Sequence, residues 1–192
     1  MKMATVTSYH KQVARHAAFA FGVGKPPVTR YLDDNKQNGV FILEAKDSPQ
    51  AGVNSYSTVG LSDHPLILNG KEFGVRVEIA GACGAAFSGF ENVIATSAFC
   101  IINSKWFCAP GRIFPDIISM YGLSKTMSDI YFANPFLWDE KLASTSFDGQ
   151  KVAWLLAVPV SKAESEFAQV NGPDKLESLF YERDIDIYNL NR

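Results

Sequence analysis

KVAWLLAVPVSKAE, residues Lys151–Glu164, is the stretch on which the fold turns. Val152, Trp154, Leu156 and Val158 alternate with residues that are mostly apolar themselves, so neither face is polar. That pattern belongs to a strand buried on both sides of a sheet. Immediately after it, Ser161-Lys162-Ala163-Glu164 forms a capping box, with Ser161 as N-cap and Glu164 three residues on, so a helix starts where the strand ends. Gly172 stops this helix, and Pro173 takes the first position of a last one, running to about Glu182 with Leu176, Leu179 and Phe180 on one face. Asp184–Arg192 (DIDIYNLNR) alternates Asp and Ile and can add an edge strand or lie extended.

Upstream, the prediction is a first helix over about Ser8–Phe21, with Val13, Ala17, Ala20 and Phe21 on one face. Thr7 or Ser8 caps it, Gly22 suits the left-handed position past its end, and Pro26-Pro27 forbids continuation. Strands follow at Val28–Leu32, Val40–Ala45 and Asn54–Leu61. Asn69-Gly70, between Leu66–Leu68 and Phe73–Ile79, is a hairpin signal. Val75, Val77 and Ile79 alternate with Arg76 and Glu78, which predicts an antiparallel meander with one wet face. Small residues at Cys83–Ala86 suggest a tight turn. Ser88–Asn103 predicts a helix apolar nearly all round and buried on both sides. Lys105–Gln150, with prolines at 110, 115 and 135, reads as loops with short strands such as Ile130–Ala133. The expected class is α+β: a single domain, 1–192, with a central twisted mixed, largely antiparallel sheet flanked by helices. Trp154, Leu156, Val158, Val77, Ile79, Phe90, Val93 and Ile94 should be core.

Composition narrows the function. The 192 residues are 47% hydrophobic and 20% charged, ordinary for a globular chain and unlike a disordered one. The net charge of −2 offers no global attraction to nucleic acid or anionic lipid. No apolar run reaches the 18 or so residues of a membrane span, and the opening residues lack a secretory h-region. Cys83, Cys100 and Cys108 form no CxxC pair, which suits reduced thiols in a cytoplasm. Charge is uneven: residues 1–128 carry 12 basic and 9 acidic side chains, and residues 129–192 carry 6 and 11. An acidic last third can complement a basic partner, although an ordinary solvated face is the plainer reading.

Chemical constellations are weak. His10, His16 and His64 share no ligand spacing with the cysteines, so no metal is expected. Ser62-Asp63-His64 holds triad residue types, but adjacent side chains point apart, and a turn with Asp63 bonding nearby backbone is the plainer reading. Gly81-Ala82-Cys83-Gly84 lacks any phosphate-loop spacing, so close backbone packing accounts for its glycines better. Asp33-Asp34 and Asp184/Asp186 fit solvated turns. No cofactor is expected.

Tyr56–Asp63, YSTVGLSD, resembles the signature of the suppressor of fused family in its bacterial branch. Val77-Glu78-Ile79, Cys83-Gly84, Pro110-Gly111, Val152–Phe167 and Leu179–Arg192 match in the same order. The resemblance implies a binding module with no catalytic residues. Eukaryotic members sequester a transcription factor by clasping an extended peptide, and this chain resembles only their N-terminal domain. Bacterial relatives are immunity proteins or antitoxins encoded beside secreted toxins, often nucleases. The resemblance places partner contacts at Tyr56, Ser57, Gly60, Leu61, Ser62 and Asp63. The acidic third adds Glu177, Glu182, Asp184 and Asp186. The leading expectation is a cytoplasmic, non-enzymatic immunity protein that neutralises a cognate protein toxin and touches neither nucleic acid nor membrane. A protein-binding adaptor without a toxin is the alternative, and an enzyme using Cys83 or the Ser62–His64 turn is the third.

Overall fold

The computed structural model describes residues 6–192; Met1–Thr5, on which the expectation about a secretory leader bears, lie outside the described residues. The chain enters through helix α1 (Ser8–Ala20). Thr7 caps it by accepting from the His10 N–H, and His10 returns the bond to the Thr7 N–H. Three strands follow, β1 (Val28–Leu32), β2 (Gly39–Ala45) and β3 (Val53–Val59), and then a single 3-10 turn at Leu61–Asp63. A miniature hairpin, β4 (Ile67–Leu68) and β5 (Lys71–Glu72), turns through Asn69 and Gly70, both at positive φ. Strand β6 (Arg76–Gly84) leads to helix α2 (Phe90–Ile102). Short strands β7 (Ile113–Phe114), β8 (Met127–Ala133), β9 (Leu137–Glu140) and β10 (Thr145–Phe147) precede the long β11 (Gln150–Ser161). Helices α3 (Lys162–Asn171) and α4 (Pro173–Glu182) close the regular structure.

Eight strands form one sheet in the order β1-β2-β3-β6-β11-β8-β7, with β10 also pairing β11. The β6–β11 pair is parallel, Val152 opposite Arg76 through Ala157 opposite Gly81, and the other pairs are antiparallel. The domain is thus mixed α+β, as the buried β11 pattern requires. Each face of the sheet has its own core. On one, α2 packs Phe90, Val93 and Ile94 against Ile79, Phe132 and Leu155. On the other, α1, α3 and α4 supply Val13, Ala17, Ala168 and Leu176 against Trp154, Leu156 and Val158. All eight core residues expected from the sequence are buried.

Four expectations need correction. The β2-β3-β6 meander has no wet face, because helices cover both sides and Glu78 is fully buried. The Asn69-Gly70 turn closes only the two-residue strands β4 and β5, and the chain breaks at Phe73–Val75 before β6 begins. Cys83 and Gly84 continue β6, paired with Asn54 and Val53, so the turn comes later. Lys105–Gln150 contains more sheet than expected, since β8 runs seven residues beside β11. Asp184–Arg192 adds no strand. It crosses the molecule pinned at intervals: Gly84 N–H donates to Tyr188 O, Thr126 Oγ1 donates to Leu190 O, and Arg192 donates to Pro159 O.

Candidate interaction surface

The sequence candidates fall into two places at opposite ends of β3, which is roughly 20 Å long. The signature segment occupies the β3 C-terminal end and the 3-10 turn. Its hub is Glu78 of β6. One oxygen of that carboxylate accepts from Gly60 N–H (3.0 Å), Ser62 N–H (3.1 Å) and Ser62 Oγ (2.6 Å), and the other accepts from Thr58 Oγ1 (2.5 Å). Gly60 sits at φ +97, a conformation that favours glycine. Helix α1 latches onto the same turn: Tyr9 OH donates to Ser62 Oγ (2.8 Å), and His10 Nε2 lies 2.7 Å from Asp63 Oδ2. His10 Nδ1 accepts from Thr7 N–H, so Nε2 carries the hydrogen given to Asp63.

Tyr56, Ser57, Gly60, Leu61 and Ser62 are all buried, and Asp63 alone among the signature candidates is exposed. Ser57 accepts from Trp154 Nε1 (3.1 Å), and Tyr56 packs on Phe90. Ser62 Oγ turns inward to Glu78 and Tyr9. Asp63, however, bonds the distant His10 rather than nearby backbone. Ser62 and Glu78 are both 0% exposed, so no substrate reaches that hydroxyl. Burial also pushes the thiols up, Cys83 to about 12 and Cys100 to about 11, which keeps them protonated and poorly nucleophilic. Cys108 moves the same way for the same reason. Among the described residues no group of three His, Cys, Asp or Glu is placed to hold a metal ion. No described helix is long and apolar enough to cross a membrane.

The second place is a cleft of about 810 Å³ at the other end of β3. The Gln50–Val53 turn forms one wall, the β8–β9 connection another, and the end of α4 with the Asp184–Asn189 segment a third. Tyr131 and Val158 lie among the sheet residues lining it, and Phe136, Phe180, Tyr181 and Tyr188 line its sides. Three sequence-predicted acids converge here, Glu177, Asp184 and Asp186, while Glu182 lies on the same helix outside the lining. Tyr131 OH donates to Glu177 Oε1 (2.7 Å), and the phenol is held above its usual range by burial and by that carboxylate. The aromatic walls were not legible in the sequence. Phe136 falls in the stretch read as loops, and Tyr181 would have been found only as an aromatic off the apolar face of α4.

The eight-stranded sheet, helix-covered on both faces, defines a mixed α+β domain of the suppressor of fused type. The chain belongs to the suppressor of fused family: the family model "Suppressor of fused protein (SUFU)" matches residues 36–192. A relative, immunity protein YqcF of Bacillus subtilis (strain 168), is 44% identical over 187 residues, 97% of either chain. A suppressor of fused homologue from Neisseria gonorrhoeae superposes with TM-score 0.66 at 16% identity, over 96% of this chain and 94% of that one. A chain in the crystal structure of the Sufu–Fu complex gives 0.66 at 14%, over 95% and 89%. Drosophila Suppressor of Fused gives 0.63 at 13%, over 93% of this chain but 48% of its own. These distant likenesses establish the fold, and the Bacillus relative places the chain beside a bacterial immunity protein.

Proposed function

We propose that this chain is an immunity protein: one suppressor of fused-like domain that binds a cognate protein toxin in the cytoplasm and holds it inactive without transforming a substrate. The observation that carries the reading is the 44% identity to the Bacillus immunity protein over 97% of both chains. Two features support it. The nucleophiles that could have suggested catalysis, Ser62 and the cysteines, are sealed or held protonated, and the exposed acids Glu177, Glu182, Asp184 and Asp186 gather at one end of the molecule. A nuclease toxin must present a basic cleft to phosphates, so an acidic surface that occupies that cleft excludes nucleic acid while touching none itself. Tyr56, Ser57, Gly60, Leu61 and Ser62 then serve the interface by holding the exposed Asp63 in position.

The test is co-expression with the toxin encoded beside this gene. Growth should be rescued and the two proteins should co-purify. Lysine at all four positions (Glu177, Glu182, Asp184, Asp186) should slow association about tenfold or more at low salt and flatten its salt dependence. Capture of a non-toxic protein instead, with no rescue, would favour the adaptor alternative.

A further inference from the structure

We propose that the 810 Å³ cleft is an anchor pocket for an arginine or lysine side chain carried on an apolar segment of the protein partner. This deepens the reading above, since it rests on the chain binding a protein and names the chemistry of the contact. The volume falls in the range of built ligand pockets, about 300–1,000 Å³, and exceeds what one side chain fills. The walls combine two features that favour the same guest. Glu177, Asp184 and Asp186 line the cleft, no lysine, arginine or histidine does, and none of the three acids has an ion-pair partner among the described residues. The same lining carries the rings of Phe136, Tyr181 and Tyr188, beside Phe180 whose ring already faces the Arg192 guanidinium; such rings attract a cation by their faces and accept the alkyl stem that carries it.

The footprint continues beyond the cleft. Phe136 and Tyr181, at its lining, are 61% and 89% exposed, so apolar surface is left for residues flanking the basic one. That extent fits a segment of protein better than a small cation. Glu177 is already fixed: Tyr131 OH bonds Oε1, and Oε2 remains to accept from the guest. Asp186 is held by the Tyr188 N–H on Oδ1. The acids therefore need little reordering on binding, which lowers its entropic cost.

The experiment titrates the full chain, followed by NMR, with acetyl-Leu-Arg-Leu-amide and acetyl-Leu-Gln-Leu-amide. The arginine peptide should shift Phe136, Tyr181 and Tyr188 signals and bind about tenfold tighter than the glutamine peptide, as one cation–aromatic and carboxylate contact implies. The double variant Glu177→Gln/Asp186→Asn should erase that preference with an unchanged unfolding transition, and Glu166→Gln, on α3 away from the cleft, should keep it. Equal binding of the two peptides, no binding, or shifts outside the cleft would overturn the proposal. The toxin separates the two ideas. Normal capture of toxin by the double variant sinks the anchor and leaves the immunity reading intact. Arginine selection by a protein that captures no toxin does the reverse.

Discussion

Glu78 is a carboxylate with no route to water, and its behaviour decides what the signature segment is for. Burial raises its pKa above the ordinary 4.5, and the donors from Ser62, Thr58 and Gly60 pull it back only in part. The sign follows from linkage: with the folded value above the unfolded one, the native state holds the extra proton between the two. Its stabilising contribution is complete below the unfolded value and is lost as pH climbs through the folded value. Glu78→Gln keeps the shape and removes the titration. Denaturant unfolding of wild type and variant should therefore show the variant gaining relative stability from about pH 4.5 toward neutrality. Asp129, held below its usual range, despite its burial, by hydrogen bonds from the Asp116 N–H, Lys162 and Ser165, contributes with the opposite sign in both proteins, so the difference isolates Glu78. If wild type gains on the variant instead, the four donors have ionised Glu78 and the hub works as a fixed anion. Either way Tyr56–Asp63 is legible in the sequence as a signature, but its polar bonds are not, because the glutamate they converge on lies in another strand.

At the scale of elements, the informative pair is β6 and α2. The glycine at 81 faces the helix so closely that a Cβ there would stand 2.7 Å from Ile94 Cδ1 and 3.1 Å from Phe90 Cε1. Packing, not a phosphate, explains it, as the missing loop spacing suggested. Gly81→Ala should cost about 1–3 kcal/mol of overpacking. Adding Ile94→Val should return part of that loss, since contacting sites couple; strictly additive effects in thermal unfolding would show that the helix sits further off. Elements with a strong period were legible in this way: α1, α2, α3, α4 and β11 each carry a cap, a stripe or an apolar run. Strand β8 was legible only in its second half, Ile130–Ala133, because the polar Ser128 and Asp129 mask its extension back to Met127. The wet face failed for a physical reason too. Alternation along β6 identifies two faces, yet Glu78 was read as solvated when its partners arrive from β3 and the following turn.

The whole molecule is a sheet with two separate cores, and one segment ties them together. The Asp184–Arg192 segment reaches the α2 side through Leu190, buried in that core, and the α3 side through Arg192, which bonds Pro159 O and pairs with Glu164 at 3.3 Å. The same segment walls the cleft, so the proposed contact surface is only as rigid as the packing beneath it. Trp154 is the test of that dependence. It lies in the middle of β11, 2% exposed, with its ring 4.9 Å from His16 of α1 and its Nε1 bonded to Ser57 of β3. Its truncation thus leaves a cavity between helix and sheet and orphans a buried hydroxyl acceptor. Trp154→Ala should lower unfolding free energy by about 3–5 kcal/mol, measured in denaturant. Because the cleft draws Val158 from the same strand, the variant that remains folded should also hold its partner more weakly. A loss under about 1 kcal/mol would mean that β11 does not carry the helix-facing core, and the placement of every wall built on it would fall as well.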